Sequence, residues 1–448
     1  MRVLVIAAMA WLAAGSVALA DEARIRAHAE AFVQAFNDGS LEAASRFVSE
    51  HAAGGTAEHM VGLFERERVQ GTLERPQITV SAGGRSAFVV ARHSISGAWR
   101  NFQFMVDREN QDRLRIFFIA LAVEPRPLPD FDASDPRFGP WLGGLVESLR
   151  ETQPFYGVIA VSQGGRVVYE RAFGLANAEA NLRNTLATRF NTASGSKMFT
   201  AVATMQLVER GVIGLDDPLT HHVPEARGLP QADTITVRHL LTHTSGIGEF
   251  WDEEYERAWA SITEPEHLLA HVLRNFGAPN LGAFQYSNSN YALLGVIVER
   301  ASGEGFYDYL RRHVFEPAGM IGTDYPLRGQ TGADVARPYN PVMEAGLVAL
   351  GRHEPVVLGE RGSAAGGAST TVADMLAFDR ALRSGVLVRP ETFAQMRTLQ
   401  AESDSPGYGY GYGLLIQNGS YGHEGSARGT QFAFRRYDDA DVTIVVAS

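Results

Sequence analysis

The chain has 448 residues, a length that suggests two or three domains and a large hydrophobic core. Its composition, 45% apolar and 20% charged, is typical of a globular protein and excludes a disordered or fibrous one. The net charge of -11 excludes a general nucleic-acid-binding surface, and the absence of cysteine excludes disulfides, thiolate zinc sites and a thiol nucleophile.

The first twenty residues have the pattern of a secretory signal peptide. Arg2 provides a basic start, residues 3–14 are apolar, and Ala18-Leu19-Ala20 forms a small-x-small cleavage site. An uncleaved membrane anchor is the alternative, but the apolar stretch is shorter than the ~20 residues that span a bilayer. No later segment is a candidate for a membrane span. We therefore predict export, and the lack of cysteine favours the bacterial periplasm.

Residues 21–124 predict a small α+β domain. Helical periodicity from Glu22 to His51 breaks at residues 37–40. Strand-like segments follow at Gln77–Val80, Ser86–His93, Trp99–Asp107 and Leu114–Val123. The helix-break-helix opening resembles the cone-shaped NTF2-like domains. Such domains have a hollow, yet no cluster of ionisable residues is evident, so we expect a packing, protein-contact or dimerisation role, with ligand binding as the alternative.

Residues 125–139 predict a linker between two domains. They contain four prolines, which remove hydrogen-bond donors and disfavour helix. The second domain, 140–448, is expected to begin with a helix at Trp141–Leu149. A hairpin of Tyr156–Ser162 and Arg166–Ala172 should follow.

Ser194 and Lys197 are the strongest catalytic candidates in this second domain. The residues after them are apolar at helical spacing up to Gly211, so Ser194 is expected at a helix N-terminus with Lys197 on the same face. A serine nucleophile needs a base to take its proton, and a lysine can serve only in its neutral form. Burial and neighbouring cations can lower a lysine pKa from about 10.4 to about 7.

Lys197 is also the only lysine among the 40 lysine and arginine residues. An arginine cannot lose its proton in a protein, so of the two cationic residues only lysine can act as a general base. A chance Ser-x-x-Lys is the alternative, and further motifs must decide between the two.

Two further motifs support catalysis. Tyr286 and Asn288 precede an apolar helix at 292–297, and His423-Glu424-Gly425-Ser426 lies among strand-like segments. Together with Ser194 and Lys197, these residues resemble the Ser-x-x-Lys, Tyr-x-Asn and Lys/His-x-Gly motifs of serine β-lactamases and penicillin-recognising enzymes. The likeness is to the class C-like, esterase and D-aminopeptidase branch. It runs from Trp141 to the end and includes segments 238–246 and 366–370.

The resemblance implies a role for each matching residue. Ser194 would be acylated, and Lys197 and Tyr286 would share the proton transfers. Asn288 would orient Lys197 and bind the amide or carbonyl on the acyl side of the substrate. The oxyanion hole would be the backbone N–H groups of Ser194 and Ser426.

The third motif departs from the Lys-Thr-Gly of β-lactam-hydrolysing relatives. His423 is a mostly neutral imidazole where those relatives have a permanent charge, so we expect neutral esters or amine-bearing substrates to be preferred over penicillins. Glu424 would repel a substrate carboxylate if it faced the cleft, but strand residues alternate and it could equally face away. Gly425 would leave the strand edge bare for the substrate.

Several other residues favour structural interpretations. His239, His243 and Ser245 lie on a turn and are expected to be structural hydrogen-bond partners. His267 and His271 have the spacing of two metal ligands, but the glutamate of His-Glu-x-x-His and a third ligand are missing, so neither a metal nor another cofactor is expected. No Gly-x-Ser-x-Gly motif occurs, which argues against an α/β-hydrolase.

The sequence therefore predicts an α+β protein. A small NTF2-like domain would precede a β-lactamase-like serine hydrolase, with an antiparallel sheet flanked by helices and a helical lobe. The expected function is a secreted hydrolase that forms an acyl-enzyme with small esters or amides. A D-amino-acid peptidase, a true β-lactamase, a slowly acylating peptidoglycan or β-lactam sensor, and an inactive scaffold are the alternatives. Resembling proteins continue beyond the last strand into a helix, so a truncated sequence or an exposed apolar sheet face is also expected.

Overall fold

The structure is a computed structural model. It describes residues 17–52, 61–62, 64, 67–80, 86–106, 112–122, 132–152, 155–344, 347–356, 359–403, 408–417 and 419–448. The predicted signal peptide lies outside the described residues up to residue 16, and so does the predicted linker from residue 125 to 131. No helix within the described ranges is long and apolar enough to cross a membrane.

Two helices and a four-stranded antiparallel sheet form the N-terminal part of the chain. The helices are α1 (Val17–Asp38) and α2 (Leu41–His51), and the strands, which pair in chain order, are β1 (Leu73–Val80), β2 (Ser86–His93), β3 (Trp99–Val106) and β4 (Leu114–Ala122). The helices separate at Gly39, whose φ of +81° favours glycine, and Ser40 caps α2 by accepting the N–H of Ala43. Strand β1 begins four residues before the predicted segment because a bulge between Glu74 and Gln77 interrupts the alternation.

The apolar core of this part is aromatic. Phe32 lies at its centre, with ring centroids 4.8 to 5.8 Å from those of five other phenylalanines, namely Phe36, Phe47, Phe64, Phe102 and Phe104. All the buried residues of this cluster lie between Ile25 and Leu114, whereas the other two described clusters begin at residue 142 or later. The division of the chain into two domains, and the NTF2-like character of the first, stay predictions.

The second part contains an eight-stranded antiparallel sheet. Its strands and the shorter pairs beside it are β5 (Gly157–Gln163), β6 (Arg166–Phe173), β7 (Leu175–Asn177), β8 (Leu182–Arg183), β9 (Phe190–Asn191), β10 (Tyr339–Glu344), β11 (Leu347–Pro355), β12 (Ser369–Thr370), β13 (Ala401–Glu402), β14 (Tyr408–Tyr410), β15 (Leu415–Gln417), β16 (Ser420–Ala427), β17 (Thr430–Tyr437) and β18 (Val442–Ala447). The spatial order in the large sheet is β13-β14-β15-β16-β17-β18-β5-β6. The chain thus returns from β18 to pair with the first hairpin of this part.

Helices surround this sheet and form a lobe beside it. They are α3 (Phe138–Thr152), α4 (Lys197–Glu209), α5 (Leu219–His222), α6 (Val237–Leu241), α7 (Glu253–Ala258), α8 (Pro265–Arg274), α9 (Asn288–Ser302), α10 (Phe306–Leu310), α11 (Glu316–Ala318), α12 (Val372–Arg383) and α13 (Pro390–Met396). Helix α3 includes the predicted segment Trp141–Leu149 and starts inside the predicted linker.

Strand alternation divides the core between the two sheet faces. Val158 and Ala160 of β5 belong to the cluster that contains α12, whereas Ile159 and Val161 belong to the cluster that contains α3. Helix α4 packs against both α9 and β16, and the 3₁₀ turn Ala193–Ser196 before it also contacts β16, so the start of α4 lies beside this strand. The predicted α+β fold, an antiparallel sheet flanked by helices, is confirmed.

Candidate active site

Ser194 lies in a 3₁₀ turn that runs directly into α4. The preceding Ala193 has φ +42°, a region rare for residues other than glycine, so the chain turns sharply before the serine. Two glycines allow this turn to pack tightly, because a Cβ at Gly366 would lie 3.0 Å from the carbonyl oxygen of Ala193 and one at Gly425 only 2.0 Å from that of Thr192. The close packing of β16 against this turn is therefore sufficient by itself to require glycine at position 425, independently of any role of Gly425 in binding the substrate.

Lys197 is fully buried one turn after the serine. Its Nζ lies 3.2 Å from Ser194 Oγ, 2.7 Å from Asn288 Oδ1 and 2.5 Å from the backbone oxygen of Ala365. The amide and backbone carbonyl oxygens can only accept hydrogen bonds. A neutral amine that donates its two protons to them directs its lone pair at the serine hydroxyl, which is the arrangement a general base needs.

Burial lowers the pKa of Lys197 to about 7, although Glu249 opposes this shift. Glu249 Oε1 accepts from Asn288 Nδ2 at 3.1 Å and from the Asn288 backbone N–H at 3.0 Å. These bonds fix the orientation of the Asn288 amide, because Nδ2 donates to the carboxylate and Oδ1 faces the amine. Burial in turn raises the pKa of Glu249. Sequence reasoning missed Glu249, which is 39 residues from Asn288.

Tyr286 and Ser194 line the same cleft, which has a volume of about 350 Å³. The ring centroid of Tyr286 lies 5.0 Å from Lys197 Nζ and 6.4 Å from the imidazole centroid of His423. The three predicted motifs are therefore brought together at one place, although they lie far apart in the chain.

His423 uses both of its ring nitrogens within the protein. Nδ1 lies 2.5 Å from the backbone oxygen of Glu424, so it must carry a proton and donate it. Nε2 then accepts from the Tyr410 hydroxyl at 2.7 Å. Burial, followed by the charge of Lys197, lowers the pKa of His423 to about 3. The imidazole is therefore neutral at physiological pH, and Tyr410 is a second residue that sequence reasoning missed.

One edge of strand β16 is free beside the nucleophile. Strand β15 pairs with β16 only up to Gly422, so within the described residues the segment 423–427 has a strand on one side alone. Gln431, opposite Ser426, exchanges both backbone hydrogen bonds with Ser448, so the N–H of Ser426 points to the free edge. A Cβ at Gly425 would lie 3.0 Å from the backbone nitrogen of Ser194, so the two predicted oxyanion donors are neighbours.

Glu424 belongs to the opposite face of this strand from His423 and Gly425. Its carboxylate accepts from the Arg435 guanidinium at 3.1 Å, and Glu424 is also among the residues that line the cleft. Glu424 thus lies on the other strand face from His423, and Arg435 partly balances its charge. Among the described residues that line the cleft, none is a lysine or an arginine.

The other histidines singled out in the sequence have separate environments. His267 Nδ1 accepts the backbone N–H of Thr263, whereas His271 packs against Tyr255. A further group, Asp217, His221 and His222, brings three ligand-type atoms within 4.8 Å of one another away from the cleft. In that group His222 Nε2 and Asp217 Oδ2 are already 3.0 Å apart and paired.

Comparison with known proteins identifies the class. The β-lactamase family model matches residues 143–448. The chain is 36% identical over 188 residues to penicillin-binding protein 4* of Bacillus subtilis and 36% identical over 190 residues to esterase EstB of Burkholderia gladioli. These matches cover 40% and 39% of this chain and 40% and 48% of the two relatives, so each spans less than half of the relative.

A solved structure agrees with these matches. The penicillin-binding protein of Bacillus halodurans superposes with a TM-score of 0.61 at 28% identity, over 68% of this chain and 94% of that one. The fold and the family match define the class of protein. The chain belongs to the β-lactamase family, as its three motifs predicted.

Proposed function

We propose that Ser194 attacks the carbonyl carbon of a small ester or amide and that water then hydrolyses the resulting acyl-enzyme. The observation that carries this proposal is the environment of Lys197 Nζ, which has two acceptor-only neighbours and the Ser194 hydroxyl as its third. With a pKa of about 7, the amine is neutral in a substantial fraction of molecules at neutral pH.

In acylation, Lys197 takes the proton from Ser194 Oγ as the oxygen–carbon bond forms. The backbone N–H groups of Ser194 and Ser426 stabilise the negative charge that develops on the carbonyl oxygen. Tyr286 passes a proton to the leaving alcohol or amine as its bond to the carbonyl carbon breaks. In deacylation, the Tyr286 phenolate takes a proton from the water molecule that attacks the acyl carbon, and the Lys197 ammonium returns its proton to Ser194 Oγ as the ester bond to the serine breaks.

The substrate class follows from the electrostatics of the cleft. Neutral His423 offers neither a charge nor a free N–H to a carboxylate, and the described lining residues include no lysine or arginine. We therefore propose neutral short-chain esters or amides, or substrates with a free amine, ahead of penicillins. The resemblance to the D-aminopeptidase branch makes a D-amino-acid peptidase the second candidate. A slowly acylating sensor is the non-enzymatic one.

Two proposals concern the rest of the chain. The leader pattern of residues 1–20 and the lack of cysteine support export to the periplasm. The helix-break-helix start and the four-stranded meander support an NTF2-like domain at 21–124, joined by a linker at 125–139 to the hydrolase domain at 140–448. We propose a protein contact or dimerisation as the role of the first domain.

The function is tested by labelling with a fluorophosphonate and by a panel of neutral esters, D-amino-acid amides and penicillins. Ser194→Ala is the control for both measurements. Labelling of the wild type but not of the variant, together with sustained ester turnover, supports the proposal. A burst without turnover would indicate a sensor, and preferred turnover of penicillins would indicate a β-lactamase.

A further inference from the structure

His243 holds the segment that carries the catalytic tyrosine. Its backbone oxygen accepts the N–H of Gln285 at 2.7 Å, and its Nδ1 accepts the N–H of Ser287 at 3.2 Å. Between these two bonds, the imidazole stacks on the ring of Tyr286, with centroids 4.2 Å apart and planes at 31°. His243 thus contacts three consecutive residues, 285–287, around the tyrosine of the Tyr-x-Asn motif.

The imidazole is enclosed by tyrosines. Tyr286 and Tyr291 both lie at small angles to its plane, 31° and 37°, whereas Tyr410 meets it at 71° and a centroid distance of 4.6 Å. The steep angle shows that Tyr410 meets the imidazole edge to face. His243 is fully buried, and its φ of +57° is one that histidine adopts more readily than most residues.

Hydrogen bonds fix the tautomer of this ring. Nδ1 accepts from Ser287 and also from Asn290 Nδ2 at 3.1 Å, so the proton of the neutral ring resides on Nε2. Asn290 is itself oriented by Ser245, whose hydroxyl donates to its Oδ1 at 2.5 Å. Among the described residues Nε2 has no hydrogen-bond acceptor. A protonated ring would therefore bury an unpaired charge beside Lys197.

We propose that His243 is a positioning residue for catalysis, which holds the phenol of Tyr286 in place beside Lys197 and Ser194. It does so by stacking on the Tyr286 ring and by accepting the backbone N–H of Ser287. The inference rests on the proposed function, in which Tyr286 transfers protons. It goes beyond the structural role expected for this turn, because it predicts a loss of catalytic rate that depends on the Tyr286 hydroxyl. A residue that served stability alone would show no such dependence.

The test is a double-mutant cycle with a neutral p-nitrophenyl ester, in which kcat is referred to the fraction of sites that fluorophosphonate titrates. His243→Phe keeps a ring and loses the acceptor, whereas His243→Asn keeps a side chain that tolerates positive φ and loses the stacking. His239→Gln is the matched control, because His239 lies four residues before His243, inside α6, where its Nδ1 accepts the backbone N–H of Thr236 and caps the helix.

We expect both His243 variants to lose about 10- to 100-fold in kcat with KM changed by less than about 3-fold, and the control to stay within about 3-fold of wild type. In a Tyr286→Phe background, His243→Phe should cost less than about 3-fold more. Two results would overturn the inference. One is that His243→Phe lowers kcat as much in the Tyr286→Phe protein as it does in the wild type. The other is that a folded His243 variant keeps the kcat of the wild type. If His243→Phe does not fold, the same cycle with His243→Asn decides. If wild type neither labels nor cleaves esters, the proposed function fails instead.

Discussion

Lys197 and His423 are two basic side chains that are both fully buried near Ser194, yet they have opposite environments. Burial lowers the pKa of Lys197 to about 7 and that of His423 to about 3. Two of the three neighbours of the amine are carbonyl oxygens, and the third is the serine hydroxyl. The imidazole instead has one acceptor and one donor, and both come from the protein.

The difference shows that burial alone does not make a base. Desolvation disfavours the charged form in both cases, but in the proposed mechanism only Lys197 keeps a lone pair directed at Ser194 Oγ. His423 has its lone pair occupied by Tyr410, so it contributes shape and neutrality rather than proton transfer. The four predictions that follow, taken from the largest expected effect to the smallest, test this contrast.

Replacing the base should have the largest effect. Lys197→Arg keeps the charge but removes the neutral form, so turnover should fall by about 1000-fold or more, nearly as far as in Ser194→Ala. Steady-state kinetics with a neutral ester measures the loss, and a thermal melt checks folding. Arg210→Lys, at the exposed end of the same helix, is the matched control and should keep full activity. Wild-type turnover in Lys197→Arg would contradict the mechanism.

Removing the phenolic hydroxyl should have the next largest effect. Tyr286→Phe keeps the ring that stacks on His243, so the fold should be retained while acylation slows by about 100-fold or more. Single-turnover kinetics with an excess of enzyme isolates the acylation step. Tyr412→Phe serves as the control, since the Tyr412 hydroxyl accepts from Arg238 rather than serving Ser194. Equal acylation rates in wild type and Tyr286→Phe would exclude Tyr286 from proton transfer.

Restoring a charge at the third motif should change the choice of substrate. His423→Lys places an amine where a carboxylate can bind, so kcat/KM for an ester bearing a carboxylate should rise about 10-fold relative to a neutral ester, or about 1.4 kcal/mol. Glu424→Gln is the control on the opposite strand face, and it should change the ratio by less than about 3-fold. A wild type that already prefers penicillin, or a ratio that His423→Lys leaves unchanged, would refute the assigned role of His423.

The smallest effect should be a shift in pH dependence. Lys197 becomes neutral as the pH rises through about 7, so kcat/KM for a neutral ester should rise through the same range. The Glu249 carboxylate raises the pKa of Lys197, so Glu249→Gln should lower it and move the midpoint of this rise to lower pH by about 0.5 to 1 unit. A pH profile of each protein measures the shift. A midpoint that moves upward would show that Glu249 acts in some other way.

Local pattern in the sequence was enough to predict most of the helices and strands and the three motifs. Ser194 and Lys197 are three residues apart where a 3₁₀ turn runs into α4, and Tyr286 lies two residues before Asn288, which begins α9, so short-range spacing already brings each pair together. Positions that depend on local irregularity were less accurate, as at β1, where the bulge near Pro76 hides the first half of the strand from an alternation pattern.

The sequence by itself determined which residues are the candidate reacting groups, because three spaced motifs around Ser194, Tyr286 and His423 occur together, whereas a Ser-x-x-Lys alone could arise by chance. Only the tertiary structure decided their protonation and their partners. Glu249, Tyr410 and His243 approach the site across 13 to 44 residues of chain, and no local period relates such positions. Burial and charge are sums over neighbours that folding brings from distant segments, so the lowered pKa values and the side to which Glu424 points could be read only from the folded chain.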